Sequence, residues 1–257
     1  MSCVKLEKRK IEEKLSSLGY DGLELAFYDS TDSTNLRARE WARAGGGAAI
    51  FVASSQSAGR GRLGRSFLSS EGGIYLSFLV YPERKLSSPS GITAEAAVKL
   101  CRAVERATGV SPQIKWVNDL YINGKKVAGI LTEGEFDESG NLRYYVVGMG
   151  INVYKIADFD RIMPIATTLE DNTNSEININ DLCAEIIAEF SKNIPAREAL
   201  SEYRDRCFVI GREVTVIAGE CKYSAKVLAV RDDYTLEVLD DSGDVRILSS
   251  GEVSLKV

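Results

Sequence analysis

The 257-residue chain contains no histidine. That absence removes the commonest general base and excludes Ser–His and Cys–His nucleophilic pairs, so any chemistry rests on Lys, Arg, Asp, Glu or the backbone. Five cysteines, Cys3, Cys101, Cys183, Cys207 and Cys221, are odd in number and show no paired close spacing. They form neither a zinc pattern nor a disulfide framework, and they point to a reducing compartment. Long apolar runs are missing, and the chain opens on the charged stretch "KLEKRKIEEK". With no signal peptide or membrane span visible, a cytoplasmic protein with no membrane partner is expected. A cationic excess is missing too: the formal charge is −5 and the pI near 5.1. Nucleic-acid binding driven by bulk charge is therefore not expected.

Against that acidic background, "GRGRLGR", Gly59 to Arg65, places three arginines and three glycines in seven positions. The glycines let backbone N–H groups approach an anion, and the arginines supply fork-shaped donors to phosphate or carboxylate. It is not a Walker loop, which needs Gly-Lys followed by Ser or Thr, nor a dinucleotide fingerprint, whose glycines open a helix. Alone, such a loop is more often a flexible or RNA-contacting surface segment. Two further segments add to it. "KWVNDL" gathers Lys115, Asn118 and Asp119 at the end of an apolar strand, which suits a magnesium nucleotide but also a charged hairpin end. "GKKVAGILTE" sets Lys126 before Ala128 and Gly129, where a ligand or an exposed turn is equally accommodated.

The periodicity predicts an amphipathic helix over 4–18 carrying Leu6, Ile11, Leu15 and Leu18, and a second helix from the capping residues Ser33 or Thr34 to Gly45. "AAIFVASS" and "GGIYLSFLVYP" read as strands, and Pro89 to Gly109 as a helix with Ile92, Ala96, Leu100 and Val104 on one face. "QIKWVNDLYI", "KKVAGILTEGEF" and "LRYYVVGMGINV" read as three extended segments paired antiparallel through turns at Asn123 and Gly140. A helix from Asn180 to Pro195 follows, then short strands that suggest a small β-barrel of about fifty residues, with a boundary near Phe208.

Taken in order, "DSTN", "QSAGRGRLGR", "KWVNDL", "KKVAGILTE", "GMGINV" and "PIATTLED" resemble the biotin protein ligase family from about Phe27 onwards. The resemblance implies an α+β fold: a catalytic domain over 1–207, like a class II aminoacyl-tRNA synthetase, with a mixed, largely antiparallel sheet flanked by helices. It also implies an SH3-like barrel over 208–257. The implied enzyme is an ATP-dependent biotin-[acetyl-CoA-carboxylase] ligase. Biotin and ATP would give biotinyl-5′-AMP and pyrophosphate, and the biotinyl group would then pass to a lysine of a biotin carboxyl carrier protein domain. Such chemistry asks for positioning and charge neutralisation by Arg, Lys and Mg²⁺, and needs no histidine.

By motif, the resemblance assigns Ser33, Thr34, Gln56, Gly59, Arg60, Arg62, Lys126 and Gly129 to biotin. It assigns Arg62, Leu63, Gly64, Arg65, Phe67, Lys115, Asn118 and Asn152 to ATP, and Asp119 to Mg²⁺. Catalysis falls to Lys126, Arg62 and Asp119, the last also able to orient or deprotonate the acceptor amine. Ser33 and Thr34 read alternatively as helix caps, and Asn152 as a turn residue. Phe67 or a neighbour stands where the family often has Trp, Val117 where it often has Pro, and Thr168 where it usually has Ser. Loop 59–67 is expected to order over the adenylate and shield it from water. The segment before Phe27 is too short for the helix-turn-helix of repressor members, so a ligase without sequence-specific DNA binding is expected; monomer and homodimer both stay open. The rival readings are a lipoate or octanoate ligase and a nucleic-acid-binding module.

Overall fold

The computed structural model describes residues 5–82, 89–157, 159, 163–218 and 221–255. Seven strands form one mixed sheet: β1 (Leu25–Tyr28), β2 (Ala49–Ala53), β3 (Gly73–Val80), β4 (Gln113–Lys115), β5 (Asp119–Ile122), β6 (Lys125–Phe136) and β7 (Leu142–Asn152). Their order is β1-β2-β3-β7-β6-β5-β4. β1 runs parallel to β2, and the other pairs are antiparallel. Asn123 and Gly124, both at positive φ, make the tight β5–β6 turn that the Asn-Gly pair favours.

Helices α1 (Lys8–Ser17), α3 (Pro89–Thr108), α4 (Ile179–Phe190) and α5 (Ala196–Arg206) share one layer, whereas α2 (Thr34–Arg43) lies against β2, β3 and β7. β2 shows why its sequence is apolar without alternation. Ile50 and Val52 join the large core containing Ala97, Leu100 and Val104, while Ala49 and Phe51 pack with Ala38, Leu79 and Val146 under α2. A strand covered on both faces has no polar side to show.

Two readings of the sequence change. The stretch "QIKWVNDLYI" is not one strand, because β4 ends at Lys115 and β5 starts at Asp119, leaving Trp116 to Asn118 to turn the chain. The helix expected to reach Pro195 ends at Phe190, and Pro195 instead precedes α5. α5 escaped detection because its sequence, "AREALSEYRDR", is mostly charged. Only Ala199 and Tyr203 are buried, and its charges meet α3: Arg102 pairs with Glu198 and Glu202, and Arg206 with Glu105.

Between α3 and α4 the same network reaches Glu189, whose side chain is 2% exposed and lies 2.7 Å from both Arg106 and Lys192. Burial pushes this carboxyl up, but hydrogen bonds from Lys192 and Arg106 outweigh it and hold the group below its ordinary value of 4.5. A depressed carboxyl adds stability above its unfolded pKa and loses it as pH falls through the folded one. Glu189→Gln is therefore expected to flatten the fall in Tm between about pH 6 and pH 3 measured by thermal denaturation.

The C-terminal part is a separate antiparallel sheet of β8 (Glu213–Ala218), β9 (Cys221–Val230), β10 (Leu236–Asp240), β11 (Val245–Leu248) and β12 (Glu252–Leu255), ordered β11-β10-β9-β8-β12. Its buried Val214, Val227, Val238 and Val253 belong to the same apolar cluster as the large core. Polar ties cross the seam: Trp116 Nε1 donates to the Tyr234 carbonyl at 2.9 Å and Arg204 Nε to the Val230 carbonyl at 2.8 Å.

Candidate active site

The face of the sheet carrying α2 is only partly covered, and three glycines shape the uncovered part. At Gly148 a Cβ would stand 1.9 Å from Asn35 Oδ1, and at Gly150 it would stand 2.3 Å from the Phe67 ring. At Gly129 it would meet Lys126 Nζ at 3.0 Å. The strand backbone thus forms a floor, and side chains from other segments lie directly on it. Gly148→Ala forces Asn35 off the floor and is expected to cost about 1–3 kcal/mol, lowering Tm by about 2–4 °C per kcal/mol in a thermal melt.

Above the floor is a cavity of about 150 Å³. One wall is the start of α2, Ser33 to Asn35, and the other is the turn between β4 and β5. Segment 59–67 folds back on itself as the roof: Gly61 N–H donates to the Arg65 carbonyl at 2.7 Å and Phe67 N–H to the Gly59 carbonyl at 2.9 Å. Its tip holds Leu63 at φ 56°, 73% exposed.

Charge in the cavity is one-sided. Arg60, Arg62, Arg65, Lys115 and Lys126 line it, and Asp119 is the only carboxylate among its lining residues. Lys126 Nζ donates to Asp119 Oδ1 at 2.7 Å and lies 5.8 Å from the Phe67 ring centroid. Arg62 uses its fork twice, donating through Nη1 to Asn118 Oδ1 and through Nη2 to the Gly251 carbonyl, both at 2.9 Å. Such a site favours an anionic or polyphosphate ligand over a neutral one.

Opposite the cations the wall is polar and uncharged. Gln56 Oε1 accepts from Thr34 N–H at 2.8 Å, and Gln56 Nε2 donates to Ser69 Oγ at 3.0 Å. The capping reading of Ser33 and Thr34 is thereby corrected: Ser33 occupies the cap position without a side-chain cap bond, and Gln56 takes the free N–H from across the fold. No described cysteine lines the cavity, and burial pushes the thiols of Cys101, Cys183 and Cys207 up to about 12.

The structure therefore brings Ser33, Thr34, Gln56, Arg60, Arg62 and Leu63 to one cavity with Arg65, Phe67, Lys115, Asn118, Asp119, Lys126 and Gly129. Three expected residues stand outside its lining. Gly59 lies at the base of the roof, where a Cβ would meet the Phe67 carbonyl at 2.4 Å. Gly64 turns the roof's tip at φ 73°. Asn152, at the end of β7, donates through Nδ2 to the Thr167 carbonyl at 3.2 Å and so anchors the "PIATTLED" segment. Asp119 lies at the cavity with its Oδ1 accepting from Lys126 Nζ, and the described residues hold no cluster of three or more His, Cys, Asp or Glu.

Asn35, Trp116, Gly148 and Gly150 also line the cavity, as does Gly251. The pair Gly148 and Gly150 carried a readable signal, since residues two apart on a strand share a face. Gly251 carried none, because it comes from the other sheet.

A model of the Biotin/lipoate A/B protein ligase family matches residues 27–152, the span that builds the floor, the roof and both walls. Over that span the chain is similar to this family. Among curated relatives, the bifunctional ligase/repressor BirA of Bacillus subtilis is 37% identical over 175 residues, 66% of this chain and 54% of the relative. The chain thus spans about half the length of the Bacillus relatives it matches. The biotin--[acetyl-CoA-carboxylase] ligase of Mycobacterium tuberculosis is 27% identical over 96% of this chain and 95% of its own. Among solved structures, the biotin protein ligase from Aquifex aeolicus in complex with biotin and ATP superposes with a TM-score of 0.75 at 28% identity, covering 91% of this chain and 98% of that one. The roof, the Lys126–Asp119 pair and the glycine floor lie around one cavity within the matched span.

Proposed function

We propose that this chain is an ATP-dependent biotin protein ligase. Its cationic cavity, with Lys126 at 2.7 Å from Asp119 beside the uncharged Thr34–Gln56 wall, carries the reading. The biotin carboxylate oxygen attacks the α-phosphorus of ATP, the bond to pyrophosphate breaks, and biotinyl-5′-AMP remains. A lysine amine of a carrier domain then attacks the biotinyl carbonyl, AMP leaves, and the amine's proton goes to Asp119 or solvent. Lys126 is the fixed cation at the carboxylate and forming acyl phosphate, and Arg62 and Lys115 face the phosphates, which suits an electrostatic mechanism. Asp119, the carboxylate among the cavity's lining residues, would help hold a magnesium ion, which would supply neutralisation of phosphate charge. The C-terminal five-stranded sheet serves as the SH3-like module and supplies the Gly251 carbonyl to Arg62.

The test is transfer. With biotin, MgATP and an isolated biotin carboxyl carrier domain, the purified chain is expected to modify one lysine, read by intact mass. Octanoate or lipoate in place of biotin is expected to give no adduct. Octanoyl or lipoyl transfer without biotinyl transfer would favour the rival within the family.

A further inference from the structure

Behind the cavity wall, a chain of hydrogen bonds, part-buried at Glu133 and buried at Ser77, runs from β6 through β3 to the start of α2. Asn35 Nδ2 donates to Glu133 Oε2 at 2.7 Å and to the Leu131 carbonyl at 3.4 Å. Both partners only accept, so the Asn35 amide has one orientation, with Oδ1 turned to Ser77. Ser77 Oγ stands 2.6 Å from Asn35 Oδ1 and 2.7 Å from Thr34 Oγ1. Asn35 Oδ1 cannot donate, so the single Ser77 proton is committed to it.

A separation of 2.7 Å between the Ser77 and Thr34 hydroxyls requires a proton between them, and only that of Thr34 remains. Its other acceptor, Gln56 Oε1, stands farther off at 3.1 Å and already accepts from Thr34 N–H. The Thr34 proton therefore points away from the cavity, and the lone pairs of Thr34 Oγ1 face it. Ser77 is fully buried, so no water resets this order.

We propose that Ser77 and Glu133, neither of which lines the cavity, are positioning residues that fix the Thr34 hydroxyl as an acceptor, so that the wall selects a ligand N–H at that point. Arg39 pairs with the other Glu133 oxygen at 3.3 Å and holds the carboxylate against Asn35. This inference rests on the biotin reading, in which the ureido group supplies the N–H.

Titration calorimetry with biotin and with its two isosteric analogues, each having one ureido N–H replaced by a ring oxygen, tests it. The wild-type chain is expected to bind biotin and to bind one analogue at least ~100-fold more weakly. Ser77→Ala frees the Thr34 hydroxyl to rotate, so biotin is expected to weaken about 10-fold while that analogue does not, shrinking the discrimination. Glu133→Leu should match Ser77→Ala, Glu133→Gln should restore wild-type discrimination by keeping an acceptor, and the double variant should add nothing further. Unchanged discrimination in folded Ser77→Ala and Glu133→Leu, whatever their Tm, overturns the inference while leaving the biotin reading intact. A wild-type chain that binds no biotin removes both.

Discussion

Lys126→Gln is expected to slow biotin-dependent pyrophosphate release by about 10²–10³-fold. Two effects act together. The substitution removes the cation that lies on the floor at Gly129, where the proposed adenylation would shift negative charge from the biotin carboxylate to the acyl phosphate. It also strips Asp119 of its 2.7 Å partner, leaving an uncompensated carboxylate in a cavity meant for anions. Lys126→Arg keeps the charge but presses a planar fork onto Gly129 and is expected to recover only part of the rate. Asp119→Asn separates the half-reactions: pyrophosphate release should change little, whereas transfer to the carrier lysine should slow. Stopped-flow release and gel-based transfer, run side by side, give both rates. A Lys126→Gln chain that releases pyrophosphate at the wild-type rate would remove Lys126 from the mechanism.

Arg62→Ala should weaken retention of the adenylate by about 10²-fold, in line with the loss of charge-assisted hydrogen bonds. This guanidinium joins the turn residue Asn118 to the carbonyl of Gly251, just before β12, so the roof is held from two sides. An incoming phosphate competes for the same donors and can take them over without adding a charge. The variant should still make biotinyl-AMP but lose it to solution, which filter binding of the labelled intermediate followed over time would reveal. Arg62→Lys retains the charge yet cannot span both acceptors, so it should fall between alanine and wild type. Retention equal to wild type in Arg62→Ala would show that the roof does not hold the intermediate.

Much of this site was legible because its chemistry is written in short local motifs. Lys126, Asp119 and the arginines of the roof announce themselves by charge in an acidic chain, and the Asn123-Gly124 turn fixes how β5 and β6 meet. What could not be read depends on contacts between segments far apart in sequence. Gln56 capping α2 in place of Ser33, Arg62 reaching Gly251, and Asn152 anchoring the Thr167 segment all arise from tertiary placement. Helix α5 was missed for a different reason: its stability comes from ion pairs with α3 and the buried Tyr203, so its apolar period is too weak to detect. Strand β1, unread in the sequence analysis, forms because its backbone pairs in parallel with β2.

The claim on which the rest turns is that this cavity makes and keeps a mixed anhydride until an amine arrives. Mixing the purified chain with biotin and MgATP in the absence of any carrier domain measures it directly. The account predicts a burst of about one pyrophosphate per chain followed by near-arrest, with biotinyl-AMP recovered on the protein and released turnover resuming only when the carrier lysine is added. No biotin-dependent burst, or continuous pyrophosphate release with free biotinyl-AMP accumulating in solution, would contradict it.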